Sequence, residues 1–167
     1  MTFTVYDASV PVFQQALKTL SGLLLKAEAH AVEKGIDISF LLNAQLAPDM
    51  LSFTRQIQIA TDHAKGATAR LAGVDMPKYE DSEKTVAELQ ARLQKIQDFI
   101  AGLQREQFAG AEDRAIKLVD PWATYDFTGQ RYLTYWALPN FFFHVTTAYN
   151  ILRHQGVQIG KADFIGQ

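Results

Sequence analysis

Asn140 and His144 stand four residues apart, directly after Pro139, in the most aromatic stretch of the chain, TGQRYLTYWALPNFFFHVTTAYNILRHQ. Residues at i and i+4 share one helix face, so two ligand-capable side chains point the same way. A third, His63, lies in an earlier segment of helical periodicity. Imidazole suits zinc, nickel, iron or manganese, whereas an amide oxygen is an uncommon ligand for such ions. A catalytic metal wants about three protein ligands and an open position. His63, Asn140 and His144 meet that number if the helices carrying them are neighbours. Two plainer readings stand beside it. A buried histidine is often only hydrogen-bonded, here with Asn140 as partner. Asn140 also follows a proline whose missing N–H frees a carbonyl in the preceding turn, and its amide can serve that carbonyl instead.

The other titratable residues are weaker candidates. His154 lies ten residues beyond His144, about 15 Å along a helix axis, so the two cannot share a small ion. His30 reads as a surface residue near the end of the first helix. Asp62 points about 100° away from His63 around the helix. It is expected to pair with Lys65 or with an arginine of another helix, or to stand at the mouth of a site.

Composition narrows the chemistry further. The 167 residues include no cysteine, which excludes disulfides, thiolate ligands and a cysteine nucleophile; any thiol must arrive with a substrate. A net charge of −2 without a Lys/Arg run gives no electrostatic footprint for nucleic acid. No segment nears the roughly 18 apolar residues of a membrane span, and the first residues lack the pattern of a signal peptide. The expectation is one cytoplasmic domain over residues 1–167, of ordinary globular composition at 48% apolar and 20% charged.

Four amphipathic segments must position the candidate residues. Phe13, Leu17, Leu20, Leu24, Ala27 and Ala31 recur in steps of four and three, the seam of a first helix. Asp7 or Ser9 is its expected cap, Pro11 its first turn and Gly35 its stop. Asp37 to Asn43 reads as a short helical turn. A second long helix opens at Pro48 and Asp49 and runs to about Ala72, with an alanine-rich seam that admits a close neighbour or something bound. The third, capped by Asp81 or Ser82, has the seam Val86, Leu89, Leu93, Ile96, Ile100 and Leu103. Its other face, with Lys84, Glu88, Gln90, Arg92, Lys95 and Gln97, reads as solvated. Ile116–Val119 and Ala123–Phe127 flank Asp120-Pro121 and suggest a small hairpin. Thr128 caps the last helix, Gly156 stops it, and an extended tail packs Val157, Ile159, Phe164 and Ile165. The aromatics Tyr132, Tyr135, Trp136, Phe141, Phe142, Phe143 and Tyr149 read as core and interface. The pattern indicates an all-α four-helix bundle with a β-hairpin between helices three and four.

The order of elements, the internal histidine of the second helix, the i, i+4 pair of the last and its closing L-R-x-x-G-V resemble the DinB/YfiT-like metalloenzyme superfamily. The segments YDASVPVF, LAPDMLSFTRQIQIATDHAKGATARLAG and LPNFFFHVTTAYNILRHQGVQIGKADFIG look like a bacterial branch of it known only as a domain of unknown function. The resemblance spans nearly the whole chain. It implies an up-down-down-up bundle, a homodimer, and a divalent metal held by one histidine from helix two and an HxxxH pair on helix four. His63 matches the first position and His144 the last, while Asn140 stands where the pair's first histidine would be. Some members are metal-dependent transferases acting on small thiols. The expected function is therefore a metal-dependent thiol transferase or hydrolase-like enzyme with an altered His/Asn/His site. The rival is a non-catalytic, dimeric ligand-binding or stress-associated bundle that has lost the metal.

Overall fold

The structure, a computed structural model, describes residues 3–119 and 121–166; Asp120, at the expected hairpin turn, lies outside them. Helix α1 spans Val5–Lys34 and α2 spans Ile38–Leu42, followed by α3 (Phe53–Ala72) and α4 (Val86–Ala101). A short 3-10 turn, Arg105–Phe108, leads to strands β1 (Ala115–Val119) and β2 (Thr124–Thr128). The last long helix is built from α5 (Gly129–Tyr132), a π turn over Leu133–Ala137, and α6 (Leu138–His154). Helix α7 (Lys161–Ile165) ends the fold.

Helices α1, α4, α3 and α6 each pack against the next, and α6 closes back onto α1. This is the four-helix bundle the apolar seams dictate. Phe13, Leu17, Leu20 and Leu24 of α1 meet Leu89, Leu93 and Ile96 of α4, Ile57 and Ala64 of α3, and Phe141 and Ile151 of α6 in one buried cluster. Phe13 and Phe141 meet edge to face with ring centroids 4.8 Å apart. The strands pair antiparallel, with Ile116 opposite Phe127 and Leu118 opposite Tyr125. Tyr125 and Phe127 meet Trp136 in tilted contacts with ring centroids 4.6 and 5.8 Å apart, so the hairpin is clamped to the π turn by aromatic contact.

The helix starts differ from the sequence reading, for one shared reason. Thr4, not Asp7 or Ser9, caps α1: its hydroxyl accepts from the Asp7 N–H while the Asp7 carboxylate accepts from the Thr4 N–H at 3.0 Å. Pro11 consequently lies inside the helix. Ser52 caps α3, because residues 47–50 turn on an Ala47–Met50 hydrogen bond and leave Pro48 and Asp49 outside it. Thr85 caps α4 in a reciprocal box with Glu88, displacing Asp81 and Ser82. In each case a hydroxyl bonding the N3 backbone outcompetes the polar residues nearby.

The tail is not extended to its end. Val157 and Ile159 are buried as expected, but α7 then turns against α1. There Gln15 Nε2 donates to the Ile165 carbonyl and Thr19 Oγ1 to that of Phe164, at 3.2 and 3.1 Å. Ile165 itself is exposed, and so are Tyr135 and Phe143, while His30 is buried rather than on the surface.

Candidate functional site

His63 sits at the middle of α3, and His144 two turns into α6, the helix packed beside it. Their rings lie 5.5 Å apart between centroids with planes 19° from parallel. Both are half-buried. Burial pushes the His144 imidazole down to about 4, helped by the neighbouring His63. Burial also lowers His63; the Asp62 charge opposes the shift and the Arg70 charge adds to it. The pair is therefore neutral near pH 7, with nitrogen lone pairs available.

A residue missed by the sequence reading fixes one of those lone pairs. Gln56, 1% exposed, donates through Nε2 to the Leu51 carbonyl at 3.1 Å, and its Oε1 lies 2.7 Å from His144 Nδ1. A carbonyl only accepts, so the Gln56 amide nitrogen must face Leu51 and its oxygen must accept from Nδ1–H. His144 is held with its proton on Nδ1 and the lone pair on Nε2. Seven residues separate Gln56 from His63, two helical turns on one face; that spacing was a readable signal.

Asn140 bonds a backbone carbonyl of the preceding turn and not His144. Its Nδ2 donates to the Trp136 carbonyl at 2.7 Å, one turn back, where Pro139 and the π turn disturb the helical ladder. Asp62 pairs as expected with Lys65, at 2.8 Å, and with an arginine of another helix, Arg92, at 3.0 Å.

That arginine is not on a solvated face. Arg92 is 2% exposed and donates to Thr61 Oγ1 at 2.6 Å, to the Glu80 and Gln58 carbonyls, and to Glu83. It also forms ion pairs with Asp62 and Asp81. Arg92 stands three residues after Leu89 and four before Ile96, which places it on the buried side of α4. Beside His63 a cleft of about 490 Å³ opens between α3, the loop after it, and the hairpin and last helix.

Two imidazoles on one ion at about 2.0–2.1 Å have centroids roughly 5 Å apart, so the observed separation fits two ligand positions. Among the described residues no group of three or more His, Cys, Asp or Glu side chains could complete such a site.

The four-helix bundle with its small antiparallel hairpin is a DinB-like fold. The chain matches the crystal structure of a DinB family member protein from Shewanella denitrificans with a TM-score of 0.91 and 42% identity, covering 98% of this chain and 92% of that one. Residues 5–165 match the family described as Domain of unknown function (DUF1993), and the chain belongs to that DinB-like family. No curated protein matches.

The neutral pair has a stability consequence. Unfolded histidines take up protons near 6.5, whereas folded His144 does so only near 4. Between those values the unfolded chain binds more protons, so stability is complete above about pH 6.5 and falls as the pH drops. Each differential proton contributes up to about 1.4 kcal/mol per pH unit. Urea unfolding at pH 7.5, 6.5 and 5.5 should show this decline in the native protein and a shallower one in His144→Gln. Parallel profiles would show that the histidine is not the cause.

Proposed function

We propose that His63 and His144, with the Asn140 amide oxygen, hold one divalent transition metal ion, and that the protein is a metal-dependent enzyme of thiol-transfer or hydrolytic type. The observation that supports this most is the Gln56–His144 hydrogen bond. Metal-ligating histidines donate their second ring N–H to such a partner, which fixes the tautomer and aims the free nitrogen. Zinc, nickel, manganese or iron bound there would lower the pKa of a coordinated water or substrate thiol. The chain's own part is to supply two neutral nitrogens and to orient one of them through Gln56. An amide oxygen is a weaker donor to these ions than an imidazole nitrogen, so affinity should be lower than for a three-histidine site. The homodimer implied by the resemblance and the cytoplasmic location expected from the sequence belong to the same proposal.

Elemental analysis and calorimetric titration of untagged protein with zinc, nickel and manganese test it. Near one equivalent of a single metal is expected, lost in His63→Ala and His144→Ala. Gln56→Leu should weaken binding by about 10- to 100-fold, the usual effect of losing such a partner. No binding of any supplied ion would sink the proposal.

The commitment of Asn140 to the Trp136 carbonyl favours a second reading, a ligand-binding bundle that has lost its metal. Under it His144→Gln changes stability slightly and no ligand-dependent property at all.

A further inference from the structure

The cleft beside His63 carries an unusual balance of charge. Among the described residues Asp62 is the only carboxylate lining it, against the cations Lys65, Arg70 and Lys78. Asp62 is already held by Lys65 and by buried Arg92. Lys65 is itself 4% exposed and lies 5.1 Å from the centre of the Tyr79 ring. Arg70 and Lys78 form no ion pair among the described residues. The one side-chain hydrogen bond of Arg70 among them runs to the Tyr132 hydroxyl at 3.2 Å, and its guanidinium lies 5.9 Å from the centre of that ring. A guanidinium has five N–H donors in a rigid fork suited to an oxyanion. Its charge reaches His63, whose proton affinity it lowers.

Apart from His63, the rest of the lining is aliphatic and aromatic. Met76, Pro77 and Tyr79 come from the loop after α3, and Leu118, Tyr132 and Trp136 from the hairpin and last helix. Gly66 supplies an independent observation. A Cβ at that position would stand 2.6 Å from Arg70 Nη1 and 3.3 Å from Met76 Sδ. Glycine inside a helix costs about 1 kcal/mol relative to alanine, and the bare backbone there is what seats the guanidinium and the thioether over α3.

We propose that this cleft binds a small anion with a flat apolar body, its carboxylate or phosphate on Arg70 and Lys78 and its body against Tyr79, Met76 and Trp136. The cations stand there without a metal, so the site is independent of ion binding at the histidine pair. It would nonetheless bring the ligand beside His63, and so names the kind of small molecule a reaction at that pair would use.

Benzoate, phenyl phosphate and benzyl alcohol are the probes, titrated by nuclear magnetic resonance on indole and amide signals with a chelator present. Saturable binding of at least one anion is expected, with the alcohol at least tenfold weaker and the Trp136 indole signal moving. The better of the two anions distinguishes a carboxylate from a phosphate ligand. Arg70→Gln should weaken the anion at least tenfold, and Lys78→Gln severalfold. Gly66→Ala should leave the unfolding midpoint unchanged or raised while weakening the anion severalfold; it decides the matter if Arg70→Gln does not fold. His144→Ala should bind the anion as the native protein does, which separates this site from the metal proposal. Equal binding of alcohol and anions, no binding of any probe, or native affinity in Arg70→Gln or Gly66→Ala would overturn it.

Discussion

Replacing Arg92 with alanine should destabilise the protein by about 3 kcal/mol, read as a lower urea midpoint at an unchanged slope. The side chain is 2% exposed, and all three of its nitrogens are used. Nε bonds the Thr61 hydroxyl, which in turn donates to the Gln58 carbonyl at 2.6 Å. Nη1 reaches the Glu80 carbonyl and both Glu83 oxygens, and Nη2 lies 3.0 Å from both Asp62 and Asp81. Without it the three carboxylates it gathers keep, among the described residues, only Lys65 and Arg55 as ion-pair partners. Removing one partner of a buried ion network commonly costs about 3–5 kcal/mol. The lower end applies because the Asp62 and Asp81 side chains keep 41% and 33% of their surface in water. Arg92→Lys should recover only part of the loss, since an ammonium restores the charge but not the planar fork. A loss under about 1 kcal/mol in the alanine variant would mean that water replaces the network at little cost.

Gly129→Ala should be the most damaging of the single-methyl additions. Gly129 is buried at the start of α5, and an added Cβ would collide with the Ala111 carbonyl oxygen, 3.0 Å from its carbon and 3.3 Å from Leu71 Cδ2. The obstacle is backbone, which cannot rotate away as a side chain can. The next residue fixes the same approach, because Gln130 N–H donates to the Glu112 carbonyl at 2.9 Å. Gly129 is not among the positive-φ glycines, so the requirement is for space and not for a left-handed backbone. Overpacking of this kind typically costs about 1–3 kcal/mol, and a rigid obstacle points to the upper end. Thermal melting should show the loss, and near-ultraviolet dichroism should show the Tyr125–Phe127–Trp136 cluster disturbed. An unchanged melt would mean that the loop before β1 yields freely.

The parts of the molecule legible in the sequence are those governed by local repetition. Steps of three and four among Phe13, Leu17, Leu20 and Leu24, or among Leu89, Leu93 and Ile96, announce helices because burial demands that period. Gly35 and Gly73 stop helices in left-handed conformations, a requirement few other residues meet. The caps were readable too: Thr4 with Asp7 and Thr85 with Glu88 keep the three-residue interval of a capping box, and the nearer acidic residues drew attention from them. Gln56 and Arg92 were harder. Each sits at a helical position that the apolar pattern marks as inward, yet its partners come from distant segments. Spacing shows that a polar residue faces inward; it does not show what will meet it there. The meeting of His63 and His144 depended in the same way on α3 and α6 being neighbours, which the family resemblance implied and periodicity alone did not.

The π turn at Leu133–Ala137 also governs how this chain should be aligned with others. A π turn holds one more residue than the α turn it replaces, so it rotates the helix on its N-terminal side by about 100° relative to α6. Tyr132, which bonds Arg70, and His144, which bonds Gln56, thus stand on opposite sides of a phase shift within one continuous helix. A homologue with an uninterrupted α-helix there would lack a single residue. A one-residue gap placed within 133–137 keeps both halves matched to their structural equivalents. The same gap placed beyond His144 would shift Asn140 and His144 by one position, and the ligand positions of the two proteins would be misread.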